Sequence, residues 1–413
     1  MAEAAAQFQE ALNQLALLPD TPERQRQELE FCSDLGMVLR AVKGLAAPEA
    51  GHNYARARKL CEQLGFPSEF LKVLLGQSQH HAYRGELDLA LRLDEDLLAL
   101  SRQRGDTAGV FSGLFSSGHN LLFSGEFASS RLRLEEAVAL EEAVALHDPN
   151  FHHAIYQAGT YAVTSRAYLG TALFILGNPD QALARSNAAI GEAGGLARKH
   201  FLASSLAVVA RLLSLIGDNA ALAERADELV AVATEQGFPH WGAQGTIYRG
   251  WAKIKNGEVA EGTALLRTGS AAYRAAGSEL FVPHYMDLQA AASAIAGQIE
   301  EALNLLDDAL QLVKRTGERW LEAELNRHKG QLLLRQGHTE VAEQLYRKAL
   351  GIALEQEAKL WELRAAASLA RLRRDQGRRA EGRELLAPVY GWFTEGFDTP
   401  DLKEAKALLD RLA

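Results

Sequence analysis

Cysteine is nearly absent from this 413-residue chain, which has only Cys32 and Cys61. They make no C-x-x-C pair, which excludes a cysteine zinc ribbon and a disulfide framework, and they read as buried free thiols. Proline is scarce too, at 10 residues, and no series of short β-branched runs bounded by turns is present. Ala, Leu, Glu, Gln and Arg fill the local runs instead, and these residues lose little freedom in a helix. The chain therefore reads as all-α. A basic excess is also missing: 44 Lys and Arg face 53 Asp and Glu, for a net charge of −9. That argues against a nucleic-acid binder, which needs a basic face. Met1 is followed by Ala2, Glu3 and Ala4 rather than by a basic and then apolar stretch, and no apolar run reaches the ~18–20 residues that span a bilayer. The expectation is a cytoplasmic chain without membrane contact.

Motifs for chemistry are lacking as well. There is no G-x-x-x-x-G-K-[ST] phosphate loop, no H-E-x-x-H and no G-x-S-x-G elbow. The adjacent pairs His80-His81 and His152-His153 would point about 100° apart on a helix, which suits no shared metal. The carboxylates are scattered along helix faces as solvated groups. The expectation is a non-enzyme with no cofactor and no metal.

What the sequence does contain is a repeat. Turns of the form Gly-x-x-x-x-small begin at Gly85, Gly125, Gly177, Gly217, Gly257, Gly297, Gly337 and Gly377. From Gly177 onward every step is 40 residues, as is the step from Gly85 to Gly125, and Gly44 marks one more unit. A second series, Gly65, Gly105, Gly237, Gly277 and Gly317, falls on the same grid and suits the left-handed residue that ends a helix. Each period thus holds two helices. Seven residues before each turn glycine stands a small residue: Ser78, Gly118, Gly170, Ala210, Gly250, Ala290, Gly330 and Ala370. Such a series lets paired helices approach closely. Sixteen before it runs an apolar stripe of Tyr161, Phe201, Trp241, Phe281, Leu321 and Trp361, read as core between successive hairpins.

This pattern resembles the tetratricopeptide repeat, lengthened from its usual 34 residues to 40. The extra six residues amount to about 9 Å of helix. The expected architecture is a right-handed superhelical solenoid over residues 1–398, with a first helical segment at 1–19 and about nine hairpins after it. A capping helix should cover 399–413, with Leu402, Ala405, Leu408 and Leu409 as its apolar face and Trp392, Phe393 and Phe397 sealing the core before it. Asn178-Pro179, Thr21-Pro22 and Thr399-Pro400 read as helix starts. One interval breaks the grid: Gly125 to Gly177 spans 52 residues, and EEAVAL occurs twice, at 135–140 and 141–146. Six residues turn a helix by about 600°, leaving it out of register, so a break is expected at His147-Asp148-Pro149. Either a neutral surface duplication or a contact protrusion fits.

In tetratricopeptide arrays the first helix of each hairpin lines the concave surface. Positions 13, 9 and 6 before the turn glycine then give a candidate groove with Tyr168, Arg211, Gln244, Tyr248, Trp251 and His284 as binding residues, beside Thr164, Ser204, Glu324, His328 and Gln331. Tyr, Trp and Arg together suit a peptide. A basic cluster of Arg371, Arg373, Arg374, Arg378 and Arg379 surrounds the last turn and reads as solvated.

Several segments also resemble the C-terminal repeat region of large bacterial proteins that carry ATPase and nucleotide-cyclase domains. They are residues 17–24 (LLPDTPER), 54–58 (YARAR), 233–239 (ATEQGFP), 316–319 (TGER) and, most clearly, 385–399 (LLAPVYGWFTEGFDT). The resemblance implies a regulatory scaffold related in architecture to the repeat domain of the maltose-regulon activator, without the ATPase or cyclase modules. The leading expectation is a non-catalytic signalling scaffold that binds a protein or peptide in the concave groove. An effector-sensing domain and a self-assembly module, the latter a homo-oligomer, are the alternatives.

Overall fold

The computed structural model of the protein describes every residue except 1, 146–147, 149, 152–153, 156–161 and 196–198. Among the described residues the chain forms twenty helices and no strand. Successive helices pair as antiparallel hairpins, and the hairpins stack side by side into a solenoid.

The glycine grid explains where the helices stop. Every turn glycine from Gly85 to Gly377 has a positive φ, between 75° and 94°, and so do all five glycines of the second series. That conformation closes a helix without a Cβ clash. At one grid position without glycine, Glu357 takes a φ of 55° in its place. At the other helix ends, Thr21 accepts a hydrogen bond from Arg24 N at 3.3 Å and Pro22 opens the helix Pro22–Lys43.

The series of small residues sits at the helix–helix contact. A Cβ on Gly250 would lie 2.7 Å from Gly262 O and 2.8 Å from Leu266 N, so the backbones of Pro239–Lys255 and Val259–Ala275 nearly touch. Gly118, Gly170 and Gly330 lie close against the side chains of Leu134, Ser186 and Tyr346 on the facing helices. The described stripe residues Trp241, Phe281, Leu321 and Trp361 are buried and Phe201 is partly so. Tyr161 lies outside the described residues.

The EEAVAL duplication does not twist a helix out of register. The helix Phe127–Ala145 runs unbroken through the first copy and most of the second. Ala145 stands where the 40-residue grid puts its second glycine, so this helix has the ordinary length. The 12 extra residues fall between the end of this helix and the start of Ala162–Ile175. Within the second copy, Glu141 is buried and ion-paired with Arg166. Of the expected break, His147 and Pro149 lie outside the described residues.

The C-terminal helix Pro400–Leu412 buries Leu402, Ala405, Leu408 and Leu412, while Leu409 packs only in part. Phe393 is buried as expected, but Trp392 and Phe397 remain 45% and 47% exposed. Trp392 instead covers the Gly177 turn, where a Cβ would meet its ring at 2.6 Å.

That contact belongs to a feature the repeat pattern does not announce. The superhelix closes on itself, and its second turn seats on its first. Tyr83 O accepts a hydrogen bond from Glu279 N at 2.8 Å, and Phe123 O accepts one from Trp320 N at 3.2 Å. Arg364 reaches Leu215 O at 2.6 Å while pairing with Glu324 and Asp401. The Glu395 carboxylate accepts from Asp180 N and Gln181 N. The turn glycines themselves make this approach possible: a Cβ at Gly85 would meet Thr316, and one at Gly125 would meet Gln356. Buried carbonyls at the hairpin tips thus find donors a full superhelical turn away.

The helix Lys199–Ile216 is long and apolar enough, at a mean hydropathy of 1.4, to cross a membrane by length and composition, but 72% of it is buried inside the fold. It is a central core helix of the solenoid, with Arg211 on its inner face.

Candidate ligand cavity

Because the turns stack, the concave face is an interior. Its residues come from the phase of the repeat that points inward, 13, 9 and 6 before the turn glycines. Three stretches follow one another along it: a cavity, a packed plug and a second cavity.

The first cavity has a volume of about 580 Å³. It lies between Pro22–Lys43, Phe70–Tyr83, Thr107–Ser124, Ala162–Ile175, Lys199–Ile216 and the start of Pro239–Lys255. Thr164, Tyr168 and Ser204 line it at the expected phase, with Phe115, Phe201 and Trp241 as apolar wall. The same phase in the two earlier hairpins supplies Gln79, Ser116 and His119. His119 packs edge-on to Tyr168, with ring centroids 4.7 Å apart, and stacks on Tyr83 at 6.1 Å. Burial lowers its pKa to about 4, opposed by a 2.8 Å hydrogen bond in which Nδ1 donates to Asn120 Oδ1. Asn120 in turn donates from Nδ2 to Asp94 Oδ2 at 2.7 Å, and Ser78 Oγ donates to Asp94 Oδ1 at 2.5 Å. Asp94 stands where other repeats place Leu, Ala, Ser or Tyr, and its burial pushes its pKa up to about 7. This polar chain behind the wall fixes His119 and Asn120 in place.

The plug gathers Arg211, Gln244, Tyr248 and His284. Each is at most 1% exposed, so they form a core rather than an open groove surface. Arg211 Nη2 donates to Gln244 Oε1 at 3.1 Å, and the guanidinium covers the Phe281 ring at 3.6 Å. Phe281 itself has a φ of 73°, uncommon for a bulky residue, and its N–H is held by the Glu318 carboxylate at 3.0 and 3.1 Å. Burial raises the Glu318 pKa to about 8. Among the described residues Arg211 makes no ion pair, and its Nε and Nη1, with the Tyr248 and Tyr285 hydroxyls, lack a partner in normal hydrogen-bond geometry. Phe123 from the first turn meets Phe281 from the second at 4.8 Å, which is why this stretch is filled.

The second cavity, about 530 Å³, holds the remaining members of the phase: Trp251, His328 and Gln331 line it with Arg371. His328 Nδ1 sits 2.7 Å from Asp287 Oδ1. Glu324 is buried beneath it between Arg327 and Arg364, whose charges hold its carboxyl well below the usual range against the opposing effect of burial.

Pattern reading missed Arg40, Lys199 and Asn120 at the first cavity. Arg40 precedes the regular grid, and Lys199 lies at the start of its helix rather than at the inward phase. Of the basic cluster, Arg371, Arg373, Arg374 and Arg378 each pair with a carboxylate. Cys32 and Cys61 are buried free thiols, pushed up to about 11 by burial. His81 Nδ1 contacts Glu86 at 2.5 Å, and no metal-holding cluster occurs among the described residues. His152 and His153 lie outside them.

No protein-family profile matches the chain. An uncharacterized protein of Rhizobium meliloti (strain 1021) is 24% identical over 381 residues, covering 90% of this chain but 36% of that protein. The chain thus spans about a third of that relative's length. Among solved structures, a Rap protein complexed with competence and sporulation factor superposes with a TM-score of 0.61 at 14% identity, covering 86% of this chain and 94% of that one. The Rap conjugation gene regulator of the plasmid pLS20 in complex with the Phr* peptide gives 0.52 at 11% identity, covering 96% and 97%. The fold is a tetratricopeptide-like helical solenoid. At these identities the likeness concerns architecture. It extends over nearly the full length of both solved chains, so it involves the whole array rather than a pair of hairpins.

Proposed function

We propose that this chain is a non-catalytic regulatory scaffold that holds a short extended peptide inside its superhelix, in the first cavity. The observation that carries this reading is the cavity itself. It is concave, mostly apolar, edged by a few fixed polar groups, and within the ~300–1,000 Å³ range of small-ligand sites. Its walls come from the first helices of six hairpins, so an occupant would brace the array. Two solenoids of similar architecture are complexes with the competence and sporulation factor and with the Phr* peptide, and the second is a conjugation gene regulator. In this reading Tyr168 contacts the peptide directly. Arg211, Gln244, Tyr248 and His284 stand behind it, and Trp251 serves the second cavity. The relation to repeat regions of bacterial ATPase and cyclase proteins belongs to the same proposal and rests on the sequence resemblance alone.

The test is affinity selection from a random pentapeptide library on wild type and on Ser204→Trp. Ser204 is 4% exposed at the cavity wall, and an indole there fills the space a ligand needs. Wild type should retain a defined peptide subset that the variant loses by about tenfold or more, roughly 1.4 kcal/mol, with helicity unchanged. Equal retention by a folded Ser204→Trp would remove the cavity from the account.

A further inference from the structure

The chain carries 53 acidic side chains, yet none lines the first cavity among the described residues. Two cations do. Arg40 comes from Pro22–Lys43 and Lys199 from Lys199–Ile216. Neither makes an ion pair among the described residues, and Arg40 Nε is buried without a hydrogen-bond partner. The charge of Arg40 reaches His200, the sequence neighbour of Lys199, and His240 beyond it, lowering the pKa of both in addition to the larger effect of burial. Behind the wall formed by Tyr83 and Tyr168 lies a third cation, Arg211, again without a carboxylate partner. The two nearest buried acids do not cancel this field. Asp94 is held behind Asn120, and Glu318 accepts from the Phe281 N–H; burial pushes each up toward or past neutrality, in Glu318 against the opposing charge of Arg211.

Surface cations normally find carboxylates in this molecule, as four members of the basic cluster near the last turn do. Other cations, Arg26, Arg92, Arg185 and Arg379 among them, make no ion pair among the described residues; what sets Arg40 and Lys199 apart is that both edge one cavity that no carboxylate lines. An uncompensated positive field in a partly desolvated pocket is costly when empty and strengthens any anion's hydrogen bonds when filled. A guanidinium fork fits a carboxylate well.

We propose that the first cavity takes its ligand as an anion: a short peptide whose C-terminal carboxylate is gripped by Arg40 and Lys199, with apolar side chains against Phe115, Phe201 and Trp241. This rests on the peptide-binding reading and adds the end of the peptide that is recognised. The carboxylate supplies the counter-charge that the fold withholds, and the aromatic wall supplies apolar area.

The experiment uses two probes that differ in one group, acetyl-Leu-Phe as the free acid and as its C-terminal amide. Each competes against the aromatic anion 8-anilinonaphthalene-1-sulfonate, whose fluorescence rises in apolar cavities. On wild type the acid should displace the dye at about one tenth the concentration the amide needs, the difference expected of one charge-assisted contact. In an Arg40→Gln, Lys199→Gln double variant with unchanged helicity, the two probes should become equivalent within about twofold. Equal displacement by acid and amide on wild type overturns the carboxylate grip and leaves the cavity reading standing. No displacement by either probe at millimolar concentration overturns it as well. Dye displacement that is unaffected by Ser204→Trp places the probes elsewhere, and then both readings fall.

Discussion

Stability is expected to peak near pH 7 and to fall steeply on the acid side. Five histidines, His80, His119, His200, His240 and His284, have pKa values lowered from 6.5 to between about 3 and 4, chiefly by burial. Between pH 6.5 and 4 the unfolded chain binds protons on these residues that the folded chain refuses, so acid favours unfolding. Asp94 and Glu318 act in the opposite sense. Their pKa values are raised to about 7 and about 8, so between pH 4 and those values the folded state holds protons that the unfolded state has released. Near pH 5 the balance is about three protons in favour of the unfolded chain, or roughly 4 kcal/mol of stability lost per pH unit. Below the ordinary carboxylate range Glu324, held low by Arg327 and Arg364, adds to the loss. Above pH 7 the histidines are neutral in both states and the ionisation of Asp94 and Glu318 lowers stability more gently. A domain with 5–15 kcal/mol in hand should therefore unfold before about pH 4. Urea titrations at half-unit steps check this. A flat profile between pH 5 and 8 would show that these groups are not buried as described.

Gly250→Leu should be the most damaging single substitution in the repeat core. A Cβ at this position already meets two backbone atoms of the facing helix inside 3.0 Å, and backbone cannot rotate aside as a side chain can. Gly262 across the contact has no side chain to shorten. A leucine must therefore push the two helices apart, at a cost of about 3 kcal/mol or more. Glu258→Leu, at the exposed turn a few residues on, should change stability by about 0.5 kcal/mol or less. Thermal melts of the two variants give the comparison, and similar melting temperatures would mean that the small-residue series does not set the helix spacing.

Much of the fold could be read because one geometric need recurs every 40 residues. Each hairpin needs a left-handed residue at its tip and a small residue at its crossing, and those needs leave glycine at Gly85 and Gly250 in plain view. The inward phase was legible for the same reason, since it follows from helix periodicity once the turns are fixed. The seating of the second turn on the first left no periodic mark. It depends on contacts between hairpin tips such as Tyr83 with Glu279 and Gly177 with Trp392, which occur once each. That seating turned Arg211, Gln244, Tyr248 and His284 into a buried plug and enclosed Tyr168 in a cavity wall. Arg40 and Lys199 escaped notice because a cation in a sequence announces nothing about whether it has a partner. The EEAVAL duplication was legible in part: a shift of about 120° required a break after it, and the helix Phe127–Ala145 ends two residues before His147.

The interior cavity exists only if the superhelix closes on itself in solution, and small-angle X-ray scattering of the full chain measures that closure directly. Seated turns predict a radius of gyration close to the compact-domain value, ~22 Å for 413 residues, and a pair-distance distribution with a single peak. A radius a third or more above that value, with a long-tailed distribution, would mean an open solenoid whose concave face is a solvent-filled groove, and would contradict the enclosed site.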